Sequence, residues 1–266
     1  MTDRPHGASS SVSFTFDVDA EEVWLGEDPK NARRPVVLSQ GSYGPRVGLA
    51  SILEILDLNG VVASFFFPGR VAEAYPAAVE SVLAAGHEVA HHGYTHRAPG
   101  SLTPGEQAEE FERGIAALQV FGVTPSGYRA PSWDFGPDTL RLVQQFGFRY
   151  SSNFMTDIRP FRHEGTEVIE VPVHWILDDA AHFWFSGDTW TKKISTNTEV
   201  EEIFTAEASG IARLGGTVVY TFHPQIIGRP GRLPLLESAI TRAVADPHVW
   251  VATAADIADD ARKQET

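Results

Sequence analysis

Short apolar runs alternate with amphipathic stretches along almost the whole chain, and this alternation limits the fold more than any other feature. Runs at 12–16, 61–67, 88–91, 127–129, 148–151, 168–173, 217–222 and 249–252 are rich in Val, Phe and Tyr and bounded by Gly, Pro or Asp. That is the pattern of strands. Between them, 46–58 places Leu49, Ile52, Leu53 and Leu56 on one helical face. The stretch 103–121 opens with Thr103 as N-cap and Pro104 at the first helical position. Helical patterns at 137–146, 200–214 and 234–246 complete the set. Strand, helix, strand in repeated order requires parallel strands joined by crossover helices. Seven to eight such units in 266 residues predict an α/β fold, an irregular (β/α) barrel rather than an open doubly wound sheet. The segment 22–43 has no clear period and carries Pro29, Arg33, Arg34 and Pro35, so it reads as an inserted loop. Residues 256–266 read as a charged C-terminal tail, and one catalytic domain over 1–266 is expected.

Charge narrows the partners. The net charge is −14 with no basic block, and a surface of that sign repels phosphate backbones and anionic lipid heads. Neither nucleic acid nor a membrane is an expected partner. Absence of cysteine excludes thiolate zinc sites and a cysteine nucleophile. After Phe16 comes Asp17-Val18-Asp19-Ala20-Glu21-Glu22 rather than a Gly-rich phosphate loop, which removes the usual foothold for a nucleotide. The N-terminus is polar, without an apolar stretch of signal-peptide length. No window reaches the roughly 18 apolar residues that a spanning helix needs. A cytoplasmic location is therefore expected.

Active sites of parallel barrels lie at the C-terminal ends of the strands, and ionisable residues gather there in strand after strand. The first run ends in Asp17 and Asp19, whose spacing of two points both carboxylates to one side of an extended chain. Held close, they repel, and one needs a proton, a cation or an arginine. The run at 88–91 is followed by a cluster of His91, His92 and His96. Imidazoles with one carboxylate form a common ligand set for zinc and similar ions; spacing alone leaves open whether His91 or His92 pairs with His96. Arg129 precedes Ala130-Pro131-Ser132-Trp133, and its guanidinium could keep Asp17 ionised. Late in the chain His223 stands where an acid or base of near-neutral pKa would, with Asp178 or Asp179 available to tune it.

These residues carry a resemblance. Residues 15–21 (TFDVDAE) resemble the first motif of the polysaccharide deacetylase family, the family four carbohydrate esterases and their relatives. Residues 86–96 (GHEVAHHGYTH) resemble the second, 128–133 (YRAPSW) the third, and 221–224 (TFHP) the fifth. The matches fall in family order between residues 14 and 224. The resemblance implies Asp17 as catalytic base, Asp19, His92 and His96 as ligands of one divalent ion (Zn2+ by its donor set), and His223 as acid. Arg129 and Asp178 or Asp179 would support them, the Ser132 N–H would meet the oxyanion, and Trp24, Trp133 and Trp175 would wall the pocket. The family fold, an irregular barrel, agrees with the periodicity. Val18 splits the aspartates that the extracellular chitin and xylan deacetylases have adjacent. Asp178-Asp179 replaces the fourth motif, and residues 226–232 (IIGRPGR) extend the fifth. These features are similar to an intracellular branch that includes peptidoglycan-deacetylase-like proteins, cyclic-imide hydrolases and a metal-independent allantoinase. The expected activity is therefore metal-dependent hydrolysis of a non-peptide amide in an N-acyl saccharide, a small amide or a cyclic imide. A metal-free cyclic-ureide hydrolase and an inactive binding homologue are the alternatives, and a homo-oligomer is plausible by the same resemblance.

Overall fold

Strand β1 (Ser10–Asp17) is buried along its whole length, as a strand covered on both faces must be. It pairs in parallel with β2 (Ser64–Phe67) and with β8 (Thr217–Phe222). From β2 the parallel ladder continues through β3 (Glu88–His91), β4 (Gly127–Tyr128), β5 (Tyr150–Ser151) and β7 (Ile169–Glu170). The short β6 (Phe161–Arg162) lies antiparallel on β7, and β9 (Val249–Val251) pairs with the first residues of β1. The computed structural model describes residues 5–185 and 193–264.

The sheet is strongly curled. Arg129, just past β4, donates from Nη1 to Asp17 Oδ1 on β1 at 2.8 Å. Those strands are three ladder steps apart, about 14 Å in a flat sheet at ~4.8 Å per step. Only a sheet rolled round its own interior brings the two side chains into contact. Between β7 and β8 the ladder is broken, and one parallel bridge, Asp178 to Thr221, spans the gap. The irregular barrel expected from the periodicity is therefore a curled α/β sheet with an incomplete seam.

Alternation along the strands separates the two faces. Phe14 and Phe16 point out of the roll and stack with Tyr220 at 5.3 Å and Phe65 at 4.7 Å. Together with Ile52, Leu56, Phe204 and Ile240 they form the main apolar core under the helices. Thr15 and Asp17 face inward, where the buried Arg129 guanidinium bonds both.

Two segments depart from expectation. Residues 22–43 are no inserted loop: they form helix Glu22–Glu27, a 3-10 turn Pro29–Arg33 and helix Pro35–Tyr43. Pro29 and Pro35 each occupy a first helical position, where the missing N–H costs nothing, so they begin turns that a search for breaks reads as loop. The charged C-terminal stretch is likewise ordered, as helix Ala254–Gln264, which buries Ile257 and Ala258. Among the described residues, no helix is long and apolar enough to cross a membrane.

Candidate active site

Loops at the C-terminal edge of the sheet bring the predicted residues together. Four non-glycine residues among those described have positive φ, namely Ala20 (49°), His96 (54°), Ser132 (57°) and Trp133 (48°), and all stand in these loops. Backbone held in the left-handed region costs energy, and such positions concentrate where function fixes the geometry.

Asp19, His92 and His96 form one buried group whose ligand atoms lie within 4.8 Å of one another. Asp19 Oδ1 is 3.3 Å from His92 Nε2 and 3.5 Å from His96 Nε2. His92 Nδ1 donates to the Arg129 carbonyl at 2.8 Å, since a carbonyl can only accept. That bond turns Nε2 toward the carboxylate and is the outer support that ligand histidines usually have. Asp19 Oδ1 is buried without a hydrogen-bond partner. Burial alone would push the Asp19 carboxyl up, but His96, His92 and His223 together hold it well below the usual carboxylate range. Burial also opposes charge on both imidazoles. In His92 the pull of Asp17 and Asp19 wins and the pKa rises; in His96 burial wins and it falls to about 4.

The choice between the neighbouring histidines follows from strand geometry. His91 is the last residue of β3, and its ring stacks on Phe111 with centroids 5.4 Å apart, away from the aspartates. Burial lowers its pKa to about 3, so it is a neutral core residue. Gly93 (φ 74°) lets the chain turn immediately after His92. Gly114 permits the close approach of helix Pro104–Gln119, because a Cβ there would lie 2.3 Å from His91 Nε2. The same helix supplies Glu110, whose carboxylate accepts from the Tyr94 N–H at 2.8 Å, the Thr95 N–H at 2.7 Å and the Thr95 hydroxyl. This clamp on the loop before His96 has no motif signature, and sequence reasoning missed it.

Asp17 and His223 flank the group. Asp17 Oδ1 is tied to Arg129, leaving Oδ2 toward His92 Nε2 at 3.9 Å. His223 Nε2 lies 3.5 Å from Asp19 Oδ2. Behind it, Asp179 Oδ1 is 2.7 Å from Nδ1, and Asp179 Oδ2 accepts the His223 backbone N–H at 3.0 Å. Asp178 sits farther off, at 3.7 Å, and caps helix Asp179–Phe183 by accepting from the Ala180 N–H. Asp179 thus orients the ring, and Asp178 shapes the turn that presents Asp179. Burial pushes Asp178 up to about 7 and raises Asp179 as well, against the pull of His223. Burial would lower His223, but Asp179 and Asp178 raise it well above the ordinary imidazole range. These three also lie close enough to hold an ion, but their own hydrogen bonds already close them. Asp19 Oδ1 stands open.

A cavity of about 140 Å3 exposes Asp17, Asp19, His92, His96, Asp178 and His223. Ser132, Trp133 and Trp175 line it as expected, with the two indoles 4.4 Å apart. Trp24 does not: it is buried behind Trp184, stacked at 4.9 Å, and Trp184 takes its place in the wall. Trp24 falls on the first turn of a helix whose period gave no reading, so its orientation was hidden.

A curled parallel sheet with this carboxylate–histidine edge places the chain among the deacetylase-like hydrolases. Residues 30–151 match the family described as polysaccharide deacetylase. The crystal structure of a candidate polysaccharide deacetylase from Mycobacterium smegmatis is 40% identical over 98% of this chain and 93% of its own, with a TM-score of 0.94. The chain belongs to the polysaccharide deacetylase family. The Helicobacter pylori peptidoglycan deacetylase is 26% identical over 95% of this chain and 96% of its own length. PuuE allantoinase shares the fold, with a TM-score of 0.82 at 21% identity, covering 96% of this chain and 91% of its own.

Proposed function

We propose that the protein is a metal-dependent hydrolase of non-peptide carbon–nitrogen bonds that acts on a small N-acyl compound or cyclic imide. One observation carries the reading: Asp19 Oδ1, buried and unpartnered, faces two imidazole nitrogens at 3.3 and 3.5 Å. A buried carboxylate oxygen that faces two imidazole nitrogens is a place for a shared positive charge. The donor set of one carboxylate and two imidazoles suits a divalent ion such as Zn2+, with positions left open for substrate. Bound by Asp19, His92 and His96, the ion would supply Lewis acidity that polarises the scissile carbonyl and acidifies water.

The remaining steps belong to the protein. Asp17 Oδ2, unclaimed by Arg129, accepts the proton of the attacking water as its oxygen bonds to the carbonyl carbon. Ser132 lines the cavity, and its N–H donates to the developing oxyanion. His223, charged beside Asp179, passes its Nε2 proton to the departing nitrogen as the carbon–nitrogen bond breaks. The cavity of about 140 Å3 is smaller than the ~300–1,000 Å3 of drug-sized ligand sites, which favours an acyl group or a small ring over a polymer chain. The same size also suits a second reading, direct, metal-free hydrolysis of a cyclic ureide, and an allantoinase shares the fold.

The test is turnover of a panel of N-acetyl amines, cyclic imides and ureides by chelated and zinc-restored protein. Hydrolysis that disappears with chelator and returns with metal supports the first reading. Full turnover of a ureide in chelator refutes it in favour of the second, and no turnover of any member refutes both. Asp17→Asn should retain the metal and lose the rate; full turnover in that variant contradicts the base assignment.

A further inference from the structure

A second cavity, about 380 Å3, shares one wall residue, Trp184, with the first. Its walls hold two polar side chains that nothing satisfies. Gln225 and Trp24 are only 7% and 4% exposed, yet neither the Gln225 amide oxygen and nitrogen nor the Trp24 Nε1 has a hydrogen-bond partner. Buried donors and acceptors are paired in most sites, and an orphan that lines a cavity marks a place for a water, an ion or a ligand.

The charge of this cavity is as telling. Arg229 and Arg232 line it, and among the described residues no carboxylate does, in a chain of net charge −14. Arg229 stacks over Tyr43 at 4.3 Å and Arg232 over Phe183 at 4.0 Å. Arg232 also donates one Nη1 bond to Asn197, and among the described residues neither guanidinium is ion-paired. Stacking fixes the plane of a guanidinium while leaving in-plane N–H groups for an anion. Both arginines belong to the 226–232 stretch, which is anchored directly to the catalytic side: the N–H groups of Ile226 and Ile227 donate to the His223 carbonyl at 2.7 and 2.9 Å.

We infer that this cavity is the subsite for the anionic end of the substrate. A carboxylate or phosphate sits on Arg229 and Arg232, and Trp24 Nε1 and the Gln225 amide hydrogen-bond the polar linker behind it. Resting on the proposed hydrolase reading, this makes the substrate an N-acyl amine that carries an acid group. Its amide lies at Asp17 and His223, and its acid end passes Trp184.

The test uses matched pairs: 4-acetamidobutanoate against 4-acetamidobutanamide, and N-acetylethanolamine phosphate against N-acetylethanolamine. Affinities are read by calorimetry on full-length Asp17→Asn protein, where turnover plays no part. At least one anionic member should bind about tenfold tighter than its neutral partner, and the pair that shows this identifies carboxylate or phosphate. Arg229→Gln, at an exposed position, should reduce that ratio to near one, and Gln225→Leu should weaken the anionic member. Equal binding within both pairs, no binding of either anion, or a preference that survives Arg229→Gln overturns the subsite. Anion preference without hydrolysis of any compound by the wild type would refute the proposed function while leaving the subsite standing. Hydrolysis without anion preference would do the reverse.

Discussion

Replacing Arg129 by Met tests whether a buried guanidinium holds the rolled sheet together. Arg129 is fully buried, and it donates to Thr15 Oγ1 at 2.8 Å, Asp17 Oδ1 at 2.8 Å, Ser152 Oγ at 2.9 Å and the Ser152 carbonyl at 3.3 Å. Its Cζ lies 4.2 Å from the centre of the Phe66 ring. Methionine keeps much of the apolar stem and removes every donor. Asp17 is then left 4% exposed without its counter-charge, a change that costs about 3–5 kcal/mol when a buried pair is broken from one side. At about 2–4 °C per kcal/mol for a chain of this size class, the melting temperature should fall by on the order of 6–20 °C. The control is Arg149→Met, which breaks a two-bond contact with Asp259 between half-exposed side chains. Exposed pairs contribute about 0–1 kcal/mol, so that variant should melt within about 4 °C of wild type. Calorimetric scans in chelator keep metal binding out of the comparison. Adding Asp17→Asn to Arg129→Met should cost less than the sum of the two single changes, because the stranded charge is gone. The reasoning fails if Arg129→Met melts no lower than Arg149→Met, or if the double variant is additive.

Three further outcomes are expected. Glu110→Gln substitutes an amide for the carboxylate that clamps residues 94–95, and titration should show zinc affinity falling about 10–100-fold, as for other supports of metal ligands; undiminished affinity would remove Glu110 from the site. Asp179→Asn should lower kcat by about 10²–10⁴-fold at unchanged metal content, the usual weight of a positioned proton donor. Glu22 carries a pH signature: burial raises its pKa from 4.5 to about 7, against Arg70. The unfolded chain releases this proton first, so wild-type stability should fall between pH 4.5 and 7 relative to Glu22→Gln and stay level above that window. Parallel melting curves across that range would contradict the assignment.

Much of this was legible because parallel strands leave a readable mark. All eight predicted runs contain strands, and the ionisable residues that follow β1, β3, β4 and β8 meet at one edge. Strand alternation does not extend past a strand's end, and for that reason spacing could not choose between His91 and His92. The choice lies in the turn at Gly93 and in the Arg129 carbonyl that accepts from His92. Asp178 and Asp179 were indistinguishable for a similar reason: only the cap on Ala180 shows which carboxylate is used locally and which is free for His223. Trp184 escaped notice because it meets Trp24 from far along the chain, and Glu110 because a carboxylate on a helix carries no mark of the backbone N–H groups it clamps. β6 is only half-buried, unlike the equally short β4, β5 and β7, and no apolar run surrounds it to mark it.

The central claim is that Asp19, His92 and His96 share one cation. Protein stripped with chelator, reloaded with zinc and desalted should retain one ion per chain by mass spectrometry of the metal, and His92→Ala, folded by circular dichroism, should retain almost none. A wild type that stays metal-free after reloading, or a folded His92→Ala that keeps its full equivalent, would contradict it.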